Sequence, residues 1–196
     1  MDVLIACEFS GAVRRAFAAL GHNAWSCDLL PAEDGSANHI QGDVRQILRQ
    51  RWDVVIAHPP CTRITNSGVR WLAARDLWRE LDEAAEFFRE CMDANADGVG
   101  VENPIPHKYA LGRIGRKYDQ IIQPWMFGHG ETKATCLWLK GLPKLVPTQI
   151  VDGREARVHR MPPGPDRWKE RSRTYAGIAA AMAAQWSNVE TLARVA

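Results

Sequence analysis

Short apolar runs and segments with helical periodicity alternate along the first half of the chain. Residues 2–7, 23–27 and 52–57 are each apolar over about the length of one strand. Residues 12–20 and 77–95 instead repeat apolar or small side chains with a period near 3.6 residues, which is typical of amphipathic helices. Strands that alternate with helices predict an α/β fold, with a mostly parallel sheet covered by helices on both faces.

The second half of the chain continues the sheet and then changes character. Residues 98–101 form another apolar run, and residues 121–125 and 135–140 read as two strands joined by Phe-Gly-His-Gly, which predicts an antiparallel edge hairpin. Residues 143–171 are basic and proline-rich, so we expect them to be irregular. An alanine-rich helix is predicted over residues 174–186.

Unusual polar side chains follow three of the predicted strands. Glu8 follows the first strand, Cys61 follows the strand that ends at Ala57, and Glu102 follows the run at 98–101. In open parallel sheets, ligands bind beyond the carboxyl ends of the strands. The sequence therefore predicts that these three residues converge at one edge of the sheet.

Composition limits the classes of protein that fit this chain, but it does not identify a binding partner. A chain of 196 residues fits one domain, and a net charge of +2 does not by itself indicate a polyanionic partner. The five cysteines lack CxxC spacing, so we expect neither a disulfide framework nor a zinc site, and the reducing cytoplasm is the expected compartment. No apolar run approaches the roughly 20 residues of a membrane span, so no membrane partner is predicted.

Cys61 has the placement that a nucleophile needs. It follows Pro59 and Pro60, which stiffen the turn after a strand and can present the thiol to a cleft. A lone cysteine is more often a small buried side chain, and the other four cysteines lie in apolar or helical patterns that fit that interpretation. Glu102 favours a chemical role for Cys61, because a carboxylate after a buried strand is costly unless it is paired or protonated.

Pro-Pro-Cys at one strand end and Glu-Asn at a later one resemble the catalytic motifs of the C5-cytosine DNA methyltransferases. Further motifs resemble that family in the same order: the loop from Glu8 to Gly11, Asp28, Asp43 in its Gly-Asp pair, Lys133, and the segment 172–177 before the last helix. The chain departs from the family at Thr62 (usually Gln), at Pro104 (often Val), and around Lys133 (usually two arginines).

The resemblance implies a role for each matching residue. Catalysis would fall to Cys61, Glu102 and Lys133. S-adenosylmethionine, or a modified sulfonium analogue, would contact Glu8, Phe9, Ser10, Gly11, Asp28, Asp43 and Pro59. The cytosine and its DNA would contact Thr62, Asn103, Arg160, Arg167, Lys169 and Arg173. No metal site is expected, because the histidines His58, His107 and His129 lack paired ligand spacing and favour surface or turn positions.

Family members that read a defined DNA sequence carry a separate recognition domain. We predict a single methyltransferase-like domain over 1–196, in which the basic, proline-rich segment 143–172 occupies the place of that domain. Catalysis on duplex DNA requires that the cytosine flip out of the stack, and residues 62–70 are a candidate loop for filling the gap.

Two other functions remain open from the sequence. The same chemistry could act on a free cytidine nucleotide, with a basic residue of the tail holding the phosphate, because a full recognition domain is missing. The fold could instead serve as a non-catalytic, DNA-binding subunit, given the changes around Pro104 and Lys133. The sequence does not indicate an oligomeric state.

Overall fold

A computed structural model describes residues 1–187 as a seven-stranded sheet with helices on both faces; residues 188–196 of the predicted domain lie outside this description. The strand order is β3-β2-β1-β4-β5-β7-β6. Strands β1 to β5 are parallel, and β7 is antiparallel to both of its neighbours. The strands are β1 Asp2–Ala6, β2 Asn23–Asp28, β3 His39–Gln41, β4 Trp52–Ala57, β5 Ala96–Pro104, β6 Gln120–Ile122 and β7 Thr135–Lys140.

Eight α-helices and one 3₁₀ turn, Pro124–Met126, are described in residues 1–187. None of these helices is long and apolar enough to cross a membrane. The helices are α1 Ala12–Ala19, α2 Arg45–Leu48, α3 Arg70–Ala74, α4 Trp78–Met92, α5 Lys108–Ile114, α6 Arg157–Arg160, α7 Arg167–Ser172 and α8 Ala176–Trp186.

Each face of the sheet has its own apolar core, because successive side chains of a strand point to opposite faces. In β1, Leu4 packs in the core that includes the buried face of α4, whereas Val3 and Ile5 pack in the core that includes α1 and α8. Phe88 of α4 and Trp186 of α8 are fully buried on these opposite faces. Burial on both faces explains why the central strands are continuously apolar in sequence.

The register of the central strands aligns their ends. Ala6 of β1 lies opposite Ala57 of β4, and Ala57 lies opposite Val101 of β5. The next residue along each chain segment is Cys7, His58 or Glu102. Three neighbouring strands therefore deliver one polar side chain each to the same edge of the sheet.

The predicted fold class is confirmed, including the antiparallel edge formed by β6 and β7. The strand predicted at 121–125 is too long, because β6 ends at Ile122 and a 3₁₀ turn follows. The strand predicted at 98–101 is too short, because pairing with β7 continues β5 to Pro104. Predictions for the shorter elements were less complete: β3, α2, α3 and α5 were not foreseen. The prediction that residues 143–171 are irregular is wrong in part, because α6 and α7 lie there. A helix of four to six residues spans less than two turns, so it leaves no apolar stripe to detect.

Candidate active site

A cavity of about 350 Å³ lies beyond the carboxyl ends of β1, β2, β4 and β5. Most residues that the sequence assigned to catalysis and to cofactor or substrate contacts line it. The predicted residues in its wall are Cys61, Glu102, Lys133, Glu8, Phe9, Ser10, Asp28, Pro59, Thr62, Asn103 and Arg173.

The turn that carries Cys61 is fixed from both sides. The carbonyl of Cys61 accepts hydrogen bonds from the amides of Ile64 and Thr65, and Asn103 Nδ2 donates to the carbonyl of Pro59 over 2.9 Å. Cys61 is the exposed cysteine among residues 1–187, so its thiol is accessible from the cavity. Partial desolvation and the charge of Glu102 raise the pKa of this thiol above its ordinary value. The thiol therefore needs activation to react at neutral pH.

Glu102 within β5 and His58 directly after β4 form a largely buried pair. His58 Nδ1 lies 3.0 Å from Glu102 Oε2, and both side chains are at most 15% exposed. Burial alone would raise the pKa of Glu102, but the hydrogen bond and charge of His58, with the charge of Lys133, bring it below its ordinary value. Burial alone would lower the pKa of His58, but Glu102 raises it. Each group of the pair thus favours the charged form of the other.

Lys133 brings a partly buried cation to the same wall. Its Nζ donates a hydrogen bond to the carbonyl of Arg173 and lies 5.7 Å from the centre of the Tyr175 ring. Burial lowers the pKa of Lys133, and the charges of Glu102 and Cys61 oppose that effect. Arg171 also lines the cavity, and its charge, like that of Lys133, favours the Cys61 thiolate.

The loop after β1 bends sharply into the cavity wall. Cys7 has a left-handed backbone (φ 58°), which is costly for a residue with a side chain and which turns the chain directly after the strand. The Glu8 carboxylate accepts hydrogen bonds from the amides of Val13 (2.7 Å) and Arg14 (3.2 Å) at the start of α1. Glu8 therefore stabilises the helix N-terminus, while Phe9 and Ser10 offer further surface to a ligand.

Asp28 and Asp43, both expected to contact the cofactor, have different surroundings. Asp28 ends β2 in the cavity wall, where its Oδ1 accepts a hydrogen bond from the amide of Leu30. Asp43 is exposed and accepts from the backbone and guanidinium of Arg45, which lower the pKa of its carboxyl. Asp28 lines the cavity and Asp43 does not.

Helix α7 and the residues after it form the wall opposite the strand ends. The Trp168 ring lies 5.8 Å from the Phe9 ring, and Arg173 donates two hydrogen bonds to the Glu33 carboxylate. Trp168, Arg171 and Ser172 all line the cavity. The basic segment that was predicted from the sequence to contact DNA thus also encloses the cavity.

Several predicted contact residues lie outside the cavity wall. Gly11 has a left-handed backbone (φ 66°) at the start of α1, where an added Cβ would lie 2.6 Å from Arg14 Nη2. Arg160 is exposed at a second, open pocket; Arg167 donates to the carbonyl of Met161, and Lys169 lies near Asp166. Arg173 lines the cavity, yet its guanidinium is held by Glu33 and Glu170.

The histidines do not form a shared site. Within the described part of the chain, no group of three or more His, Cys, Asp or Glu side chains could hold a metal ion. His107 caps α5 by accepting from the amide of Ala110, and His129 accepts from the amide of Gly177. His58 lies directly after β4 with its side chain 11% exposed, so of the expected surface or turn positions it takes the turn. The sequence signal for it was available: His58 directly follows a predicted central strand.

The fold is similar to solved methyltransferase structures. A prophage-encoded protein from E. coli, assigned as a DNA modification methyltransferase, matches with a TM-score of 0.50 and 15% identity over 77% of this chain and 52% of that one. A methyltransferase of Entamoeba histolytica matches with a TM-score of 0.49 and 13% identity, over 76% and 57% of the two chains. This chain spans about half the length of both.

No protein-family model matches the chain, and no curated protein does. At 15% identity, the likeness to the E. coli protein concerns the fold alone. The chain has the Rossmann-like fold of a methyltransferase, and its activity must be argued from the residues of the cavity.

Proposed function

We propose that this protein transfers a methyl or related group from S-adenosylmethionine to carbon 5 of cytosine in DNA, through a covalent Cys61 adduct. The observation that carries the proposal is the common cavity of Cys61 and Glu102. A thiol in the turn after β4 and a carboxyl on the adjacent parallel strand β5 are the two groups that this chemistry requires.

The first step is addition of Cys61 to the ring. The thiolate Sγ forms a bond to carbon 6 of cytosine, and the electron pair of the 5,6 double bond moves through the ring toward nitrogen 3. A proton held at Glu102 neutralises the charge that develops on nitrogen 3. Lys133 and Arg171 favour the thiolate by their positive charge, which offsets part of the effect of burial on Cys61.

The adduct makes carbon 5 nucleophilic. When bound, S-adenosylmethionine would supply the electrophilic methyl group, which carbon 5 attacks while the sulfonium leaves as a neutral thioether. A base or water then takes the proton from carbon 5, the electron pair of that C–H bond restores the 5,6 double bond, and Sγ leaves carbon 6 as the thiolate. Nitrogen 3 gives its proton back to Glu102, so the protein is regenerated.

The cavity wall suits a cofactor that carries an adenosine and a sulfonium. Asp28 uses one carboxylate oxygen on the Leu30 amide and can accept ribose hydroxyls with the other, while Phe9 offers an aromatic face. Gly11 allows the tight turn into α1, since a Cβ there would collide with Arg14. Glu8 would act through the helix that it caps.

Asn103 supports a pyrimidine beside Glu102. Its Oδ1 is buried without a hydrogen-bond partner among the described residues, and the side chain lines the cavity. A buried acceptor of this kind is costly unless a ligand supplies a donor. The exocyclic amine of cytosine is such a donor, and we assign Asn103 to it.

A DNA substrate is favoured by an aromatic and basic surface next to the Cys61 loop. Trp71 is 38% exposed, and the guanidinium carbons of Arg70 and Arg75 lie 4.6 Å and 4.3 Å from the centre of its ring. Its amide bonds to the carbonyl of Gly68, which packs on the backbone of the cavity residue Thr62. Aromatic rings and guanidinium groups together bind nucleobases and phosphates, which a free nucleotide enclosed in the cavity would not need.

The test is covalent trapping with 5-fluorocytosine, because fluorine at carbon 5 blocks the final elimination. Wild-type protein incubated with S-adenosylmethionine and DNA containing this base should form an adduct that mass spectrometry maps to Cys61. Cys61→Ala should form none, whereas Cys91→Ala, which alters a buried thiol of α4, should trap normally.

Parallel reactions with labelled cofactor separate the alternatives. Label that enters dCMP but not DNA would replace the polymer with the free nucleotide as substrate. Absence of both adduct and label with folded wild-type protein would overturn the enzyme proposal and favour the non-catalytic, DNA-binding subunit.

A further inference from the structure

The proposed reaction uses the Cys61 thiol and the Glu102 carboxyl, and these two roles do not explain why a histidine stands at position 58. Ala57, the last residue of β4, lies opposite Val101 of β5, and His58 and Glu102 are the residues that follow these two along the chain. The register sets their side chains together, and Nδ1 meets Oε2 at 3.0 Å. The amide of His58 also donates to the carbonyl of Ala6, which anchors the residue to the central strand β1.

The other side of the imidazole is unusual for a structural histidine. His58 Nε2 is buried and has no hydrogen-bond partner among residues 1–187. Burying a polar nitrogen in this way costs free energy that an apolar side chain of similar size would not incur. The residue is therefore poorly explained by packing and needs another role.

The charges around His58 retain a proton on the pair. Glu102 on β5 and Glu8 after β1 face the imidazole and favour its charged form, whereas burial and Lys133 before β7 oppose it. The direct contact with Glu102 outweighs the effect of burial, so the pKa of His58 is raised from its ordinary value. One proton is thus held between two side chains, next to the position where the proposed chemistry needs it.

We propose that His58 is a positioning residue that stores one proton for Glu102 and releases it during adduct formation. The inference rests on the proposed function. As Sγ bonds to carbon 6 and charge moves to nitrogen 3, the proton on His58 Nδ1 passes to Glu102 Oε2 and the Glu102 carboxyl passes a proton on to nitrogen 3, so one proton moves in all. His58 becomes neutral, and elimination reverses both transfers. No proton is consumed.

The storage role accounts for a contradiction in the site. Glu102 must donate a proton, yet the hydrogen bond and charge of His58, with the charge of Lys133, hold its pKa in the free protein below the ordinary value. A carboxyl kept neutral by burial alone would not need a histidine. With His58 as partner, the site instead keeps the proton at neutral pH and remains one proton transfer away from the active carboxyl.

The experiment compares wild type with His58→Gln, which can still donate a hydrogen bond to Glu102 but cannot carry the proton. We expect the rate of trapping by 5-fluorocytosine DNA to fall roughly 10- to 100-fold at neutral pH, with cofactor affinity unchanged. Because both proteins lose the Cys61 thiolate as pH falls, the ratio of the two rates is compared: the rate of His58→Gln should approach that of wild type as pH is lowered toward the pKa of a buried carboxyl. His22→Gln, which alters a histidine bonded to Ser187 outside the cavity, should behave as wild type.

A second readout does not depend on activity. In protein with ¹⁵N-labelled histidine, the His58 signals, identified by their loss in His58→Gln, should titrate above the ordinary histidine pKa. Glu102→Gln should move that titration to lower pH. An unchanged titration in Glu102→Gln would overturn the inference.

Failure of this inference differs from failure of the proposed function. If wild-type protein traps normally and folded His58→Gln has the same rate and pH profile, the histidine is merely structural. If wild type forms no adduct with DNA or nucleotide, the proposed function itself fails.

Discussion

Asn103 Nδ2 donates a 2.9 Å hydrogen bond to the carbonyl of Pro59, and this bond ties the turn that carries Cys61 to the strand that carries Glu102. The donor is 1% exposed, so water does not readily replace it. The distance between nucleophile and carboxyl is thereby set by a contact between two strand ends. Several consequences of this arrangement can be measured.

Asn103→Ala should reduce both stability and catalysis. Loss of the buried bond leaves the Pro59 carbonyl without its donor, which costs about 1–3 kcal/mol in the free energy of unfolding. A displaced Cys61 turn should lower the single-turnover rate about 100-fold. Urea unfolding and single-turnover transfer measure the two effects. The control is Asn95→Ala, which removes a side-chain hydrogen bond to the carbonyl of Arg49 outside the cavity and should leave the rate unchanged. Equal rate losses in the two variants would refute the role of the Asn103–Pro59 hydrogen bond.

Glu8→Ala should destabilise the fold through α1. Two amides at the start of the helix lose their carboxylate acceptor, at a cost of about 1–2 kcal/mol. Glu8→Gln keeps one acceptor oxygen and should cost less. The exposed Glu86 of α4 provides the control, since Glu86→Ala should change stability by less than about 0.5 kcal/mol. Weaker cofactor binding with unchanged stability in Glu8→Ala would assign Glu8 to the ligand instead.

Arg173→Gln should loosen the wall formed by α7. The pair with Glu33 is bidentate but more than one third exposed on both sides, so its contribution is about 1 kcal/mol or less. We expect the dissociation constant of S-adenosylmethionine to rise by a factor of about two to five, and the difference from wild type to shrink at high salt. Calorimetric titration at two salt concentrations measures both. The control is Arg79→Gln, which breaks an exposed ion pair on α4. If Arg79→Gln raises the dissociation constant as much as Arg173→Gln does, the wall does not depend on Arg173.

Alkylation of Cys61 should depend steeply on pH. Because desolvation and Glu102 raise the pKa of the thiol, the thiolate is the minor form at neutral pH, and the rate should rise about tenfold per pH unit until that pKa is reached. Arg171→Gln removes a charge that favours the thiolate, so its profile should shift to higher pH. Reaction with iodoacetamide, followed on the Cys61 peptide by mass spectrometry, needs no substrate. Arg49→Gln is the exposed control, and a profile of Arg171→Gln that overlays the wild type would show that Arg171 does not tune the thiol.

Local sequence patterns predict most strands of the sheet and most of the polar residues at its carboxyl edge. Apolar runs located β1, β2, β4 and β7 to within about a residue, and the polar residues after them identified Glu8, Asp28, Cys61 and Glu102. This works because the strands are buried on both faces and parallel strands bring their carboxyl ends to one edge. A local pattern is then enough to place distant residues in one cavity.

The contacts among these cavity residues follow only from the tertiary structure. The pairing of His58 with Glu102 joins positions 44 residues apart and depends on the register of β4 and β5, which no local pattern specifies. The same holds for Trp168 and Arg171, because α7 is too short to show a period and gains its position by packing on Phe9 and pairing with Glu33. Secondary structure follows from nearby side chains, whereas contacts between strand ends follow from the alignment of whole strands.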